Sequence, residues 1–145
     1  KFCTQPNWDG TNYGKDFSTD GGAANIMMTE ANGFYKVEVD LQALSYKLTP
    51  ITSIGIMGDA AGGWDKDIVM TYDAASHTWI AKSVTLKDGE IKFRANGAWD
   101  ISWGGTDLKK LTSNNGTNIR VNAGTYTIKL KPSYDGNTQA ELTKE

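Results

Sequence analysis

Apolar and polar residues alternate with a period of two along most of this chain, the signature of half-buried strands. Tyr35, Val37, Val39 and Leu41 oppose Phe34, Lys36, Glu38 and Asp40 in an alternation that starts at Gly33. A shorter apolar run precedes it at residues 25–30, and residues 44–51 alternate again, with a stop expected at Pro50, which cannot donate to a ladder. Further strands are predicted at residues 53–59, 68–72, 78–86, 89–96, 118–122, 125–131 and 139–143, a set of about seven, as in an immunoglobulin-like sandwich. Residues 60–67 (AAGGWDKD) read as a loop and residues 73–77 as a turn. The one stretch with any helical character, residues 106–111, is too short to stand alone.

One motif orders the rest. Residues 92–105 (KFRANGAWDISWGG) begin as a strand, break at Asn96-Gly97, a dipeptide that readily takes positive φ, and then present Trp99 and Trp103 among turn residues. A weaker copy opens the chain as KFCTQPNWDGTNYG. The correspondence continues: Trp8-Asp9 with Trp99-Asp100, Tyr13-Gly14 with Trp103-Gly104, Asn25-Ile26 with Asn118-Ile119, Gly33 and Tyr35 with Gly124 and Tyr126, and Leu48-Thr49 with Leu142-Thr143. The offsets stay between 90 and 94. Residues 1–51 therefore read as the C-terminal part of a preceding repeat, and residues 52–145 as a complete domain of the same kind. The expected fold class is all-β, an immunoglobulin-like β-sandwich preceded by the second half of a similar one. The strands that would complete the first copy are expected from a segment before residue 1 or from another chain, because half a sandwich exposes its inner face and edges.

Composition narrows the function. The 145 residues are 39% hydrophobic, and no apolar run approaches the roughly 20 residues that span a bilayer, so no transmembrane segment is expected. The net charge of −2 is dispersed and the arginines are only Arg94 and Arg120, which gives no footprint for nucleic acid or anionic lipid. A single cysteine and a single histidine exclude a Cys/His metal site, and no cofactor motif is present. Sixteen glycines, five tryptophans and six tyrosines suit an all-β domain with an aromatic-rich surface.

Hydrolysis of a glycosidic bond needs two suitably placed carboxyl groups. Asp59, Asp65, Asp67, Glu90 and Asp100 are candidates, yet most lie beside Lys or Gly in polar loops, where carboxylates are ordinary solvated charges. His77 sits in a turn with no nucleophile context. An enzyme is not expected. Binding fits better. A sugar offers an apolar C–H face to an indole and a rim of hydroxyls to polar side chains. Trp64, Trp99 and Trp103 occupy two segments, with Lys66, Arg94 and Asn96 close in sequence. Trp79, inside an alternating strand, reads as core. Trp99 reads equally as a platform or as a wedge common to both copies, and Trp103 as a stacking surface or a core edge.

The combination G-D-A-x-x-G-W-D, a hairpin with T-W, G-x-x-K-F-R-A-N, W-x-x-x-W-G-G, N-I-x-V and G-T-Y-x-I, spread over residues 53–131, resembles the SusE/SusF family of starch-binding outer-membrane lipoproteins. The resemblance implies a non-catalytic module at the surface of a Bacteroidetes-type outer membrane, lipid-anchored through a part of the protein outside this chain, with starch or another glycan as partner and a TonB-dependent importer beside it. It implies a glycan site made of Trp64 and either Trp99 or Trp103, with Arg94, Asn96 and Lys66 as polar groups. The first copy has Cys3 for Arg94 and Gln5 for Asn96, which puts its own site in doubt. The alternatives are an immunoglobulin-like spacer without a ligand, which can bury all three rings, and an accessory module of a glycoside hydrolase.

Overall fold

A computed structural model describes residues 1–29, 34–133 and 136–145. Glu30 and Gly33, expected at the end of one strand and the start of the next, lie outside them. The chain forms two compact units, residues 1–51 and 52–145. No α-helix is present among the described residues.

In the first unit β1 (Phe2–Cys3) pairs antiparallel with β2 (Asn12–Tyr13), and β3 (Phe34–Asp40) with β4 (Ser45–Ile51). The Asn12 side-chain amide donates to the carbonyls of Trp8 and Gly10 and pins the intervening loop. Asp40 Oδ1 accepts the N–H groups of Gln42 and Ala43 and closes the β3–β4 turn. Phe2, Tyr13, Phe17 and Tyr46 form an aromatic cluster in this unit, with Phe2 meeting Tyr46 edge-on at 5.3 Å.

The second unit has β5 (Ile54–Gly58), β6 (Gly63–Val69), β7 (Thr71–Asp73), β8 (Thr78–Leu86), β9 (Gly89–Ala95), β10 (Ser102–Gly104), β11 (Thr112–Ser113), β12 (Ile119–Val121), β13 (Gly124–Lys131) and β14 (Gln139–Lys144). One sheet runs β11-β10-β9-β5-β6, with β12 pairing the other end of β9; the second runs β14-β13-β8-β7. Every pairing is antiparallel. Alternation gives each sheet one apolar face. Ile54, Ile56, Ile91 and Phe93 of the first sheet and Ile128 and Leu130 of the second are completely buried, the division expected of a two-layer sandwich. Each such side chain contributes about 1.5–3 kcal/mol through burial.

Several expectations need correction. Residues 60–67 are only in part a loop: a 3-10 turn (Asp59–Ala61) leads into β6, which starts at Gly63. The strand expected at residues 68–72 is broken at Met70, whose N–H bonds Ile54 O while the chain passes from the first sheet to the second. Pro50 does not stop β4, which continues to Ile51; in a two-stranded ladder each strand has an outer edge on which proline is tolerated. Residues 25–29 form no strand, and β10 and β11, too short to show a period, were absent from the expected set. Residues 106–111, read as too short for a helix, form a turn in which Asp107 accepts the Lys109 N–H.

The two units share register. Phe2 opposite Tyr13 and Cys3 opposite Asn12 correspond to Phe93 opposite Trp103 and Arg94 opposite Ser102. Val37 opposite Leu48 corresponds to Ile128 opposite Leu142, and Lys36 opposite Thr49 to Thr127 opposite Thr143. Burial differs: Val37 and Val39 are 49% and 41% exposed, whereas Ile128 and Leu130 are at 0%.

Candidate functional site

Strand period decides which side chains of β9 leave the core. With Ile91, Phe93 and Ala95 inward, Glu90, Lys92 and Arg94 point outward. Gly55 of β5 is paired with Arg94 and with Val69 of β6, so it lies on the same outward face between the two strands. Across it Arg94 reaches Asp67 of β6: Nε donates to Oδ1 at 3.0 Å and Nη2 to Oδ2 at 2.8 Å, with both side chains largely buried. The Asp67 hydrogen bond raises the Arg94 pKa, opposed by desolvation and aided by the carboxylate charge, and the guanidinium stays charged. A Cβ at position 55 would come within 2.6 Å of the Asp67 side chain, so the ion pair occupies the space that a glycine leaves.

The partner strand is shaped to the same end. Between the Ile56–Ile68 and Gly58–Gly63 pairs, β5 has one residue, Met57, and β6 has four, residues 64–67. This wide bulge on an edge strand re-aims side chains away from the ladder. It presents Trp64, 39% exposed. Met57, level with Lys92 on the outward face, is nonetheless fully buried on the strand facing the bulge.

The second ring comes from the turn after β9. Asn96 (φ 55°) and Gly97 (φ 64°) both take left-handed backbone, and the Ala98 N–H returns to Ala95 O. Trp99 comes next at 44% exposure, with its ring centroid 6.1 Å from that of Trp64 and an interplanar angle of 44°. Arg94 Cζ lies 5.0 Å from the Trp99 ring centroid and Lys92 Nζ 6.0 Å, a cation–π arrangement worth about 0.5–2 kcal/mol. A strand-borne ion pair thus carries a loop-borne ring.

The sequence candidates separate on this geometry. Trp64 and Trp99 are brought together, with Arg94 beside Trp99. Trp103 is not part of the surface: opposite Phe93 in the ladder, it shares Phe93's inward face and is only 5% exposed. Asn96 shapes the turn; its Oδ1 accepts from Thr52 N at 2.9 Å and Thr52 Oγ1 at 3.2 Å, and its own N–H bonds Ser53 O. Lys66 is exposed within the bulge. Of the carboxylates, Asp59 accepts the Glu90 N–H and Asp67 holds Arg94. Lys92, Asp67 and Gly55 were not among the candidate binding residues. Alternation in KFRAN could have placed Lys92 beside Arg94, whereas the Asp67–Gly55–Arg94 crossing depends on strand order, which alternation does not encode.

A family model described as SusF/SusE starch specific CBMs (carbohydrate-binding modules) matches residues 53–140. No curated protein and no solved structure matches the chain.

Proposed function

The chain belongs to the SusF/SusE family of starch-specific carbohydrate-binding modules, and from that premise we propose that Trp64 and Trp99 form the platform on which an α-glucan stacks. The observation that carries this reading is the pairing of two partly exposed indoles from different segments, 6.1 Å apart and tilted by 44°. Coplanar rings suit a flat, ribbon-like polysaccharide; tilted rings suit the curvature of an α-linked glucan. The apolar C–H face of each sugar covers an indole, and polar groups at the edge bond the hydroxyls. Lys66, Lys92 and the Arg94 nitrogen not engaged by Asp67 are the groups available for that. Asn96 acts through the turn that positions Trp99. A spacer would have no use for exposed paired rings.

No catalytic step belongs to this reading; binding is the function. By family membership the module would work at the bacterial cell surface, in a lipid-anchored outer-membrane protein that holds starch for a TonB-dependent importer. Residues 1–51, with their matching register and uncovered valines, are read as the C-terminal part of a second immunoglobulin-like repeat.

Affinity electrophoresis against a panel of soluble polysaccharides tests the proposal. Starch-type glucans should retard the protein, and Trp64→Ala should abolish the retardation while leaving the circular dichroism spectrum unchanged. Equal mobility of wild type and variant in every glucan would overturn it.

A further inference from the structure

The outward row of β9 does not end at Lys92. Glu90 continues it, roughly 13 Å from Arg94 at about 3.3 Å per residue. Arg120 of β12 stands directly opposite Glu90 in the ladder. Here a groove of about 700 Å³ opens, rimmed by Glu90, Asn118, Arg120, Thr106 and Thr117, with the half-buried Leu108 as an apolar wall. Asn118 Nδ2 donates to Glu90 Oε2 at 2.8 Å, which fixes the carboxylate. The other carboxylate oxygen and the Asn118 amide oxygen accept no hydrogen bond among the described residues, and Arg120 forms no ion pair among them. Lys92 bridges the two regions. Its Nζ lies 6.0 Å from the Trp99 ring centroid, and its Cε is 3.2 Å from the position a Cβ on Gly104 would take, beside Thr117.

We propose that this groove is a second subsite for the same glycan, taking the sugar residues that extend past Trp99 along β9. The inference rests on the reading that Trp64 and Trp99 bind an α-glucan. Donors and acceptors of both kinds surround one apolar wall, the complement of a pyranose with its hydroxyl rim and C–H face. No aromatic ring lies in the groove, so it would add orientation and length selectivity to an affinity that originates at the indoles.

Calorimetry with maltotriose and maltoheptaose separates the two ideas. The wild type should bind maltoheptaose about tenfold more tightly than maltotriose. In Asn118→Ala/Arg120→Ala, with an unchanged thermal midpoint, maltotriose affinity should stay as in wild type. The gain for maltoheptaose should shrink to the few-fold statistical advantage of a ligand with more registers. Trp99→Ala should weaken both ligands alike. If the double variant keeps the full gain, the subsite is wrong and the platform stands. If neither sugar binds the wild type, the platform reading fails and the subsite falls with it.

Discussion

At the scale of single residues, the Arg94–Asp67 pair explains how a ring on a surface loop can be held in place. Arginine offers two parallel donors to one carboxylate and a flat cation to the indole; lysine offers neither geometry. Arg94→Lys should therefore keep the charge and still weaken glucan binding severalfold by calorimetry, because Trp99 loses its fixed neighbour. Gly55→Ala should act through the same pair. With Asp67 only 2.6 Å from the added methyl, the ion pair must shift, and the midpoint in chemical denaturation should fall by the equivalent of about 1–3 kcal/mol together with a loss of binding. Wild-type affinity in Gly55→Ala would contradict the positioning role. The two tryptophans of W-x-x-x-W separate by consequence. Trp103→Ala should cost about 3–5 kcal/mol of stability as a core truncation, whereas Trp99→Ala should cost affinity. Both lie past the end of β9 in the sequence, and composition cannot tell them apart. Which residue stands opposite Phe93 is fixed by the length of the connection that begins at Asn96-Gly97. That register sends one ring inward and the other to the surface.

At the scale of elements, β6 is the decisive piece. Its glycines and charges read as a loop because a bulge of this width erases the two-residue period that marks a strand. The alternation in β3, β9 and β13 had no such interruption and that in β8 only a narrow bulge at Lys82-Ser83, so those strands were legible within a residue or two. The β7–β8 turn, at residues 73–77, was equally legible, and its chemistry supports a pH prediction. Asp73 accepts the Ser76 hydroxyl and the Ala75 N–H, and these bonds hold its carboxyl below the ordinary aspartate value, more than offsetting desolvation. A depressed folded-state value means the turn's contribution is present above the unfolded pKa and is lost as pH falls through the folded one. Chemical-shift titration should give Asp73 a midpoint below that of an unstructured aspartate, and Asp73→Asn should remove that share of the acid-side loss of stability. A midpoint at the ordinary value would contradict the cap.

At the scale of the whole molecule, the two units carry the same ladder registers with different burial. The proposed repeat rests on paired motifs, because Trp-Asp, Gly-x-Tyr and Leu-Thr recur at nearly constant offsets. How much apolar surface each copy covers was not legible, since identical alternation serves a covered and an uncovered face. A two-stranded ladder is marginal by itself, so amide exchange at Val37 and Val39 should be fast and local. At Ile128 and Leu130 it should approach the global unfolding limit. Equal protection in the two ladders would show that the first unit's valine face is covered in solution.

The proposal stands or falls on whether Trp64 and Trp99 together meet the sugar. Assigned indole Nε1–H resonances, monitored during titration with maltoheptaose, test it most directly. The signals of Trp64 and Trp99 should move together along one saturating curve while those of Trp79 and Trp103 stay in place. Movement of Trp103 without Trp64, or no movement of Trp64 and Trp99 at saturating sugar, would contradict it.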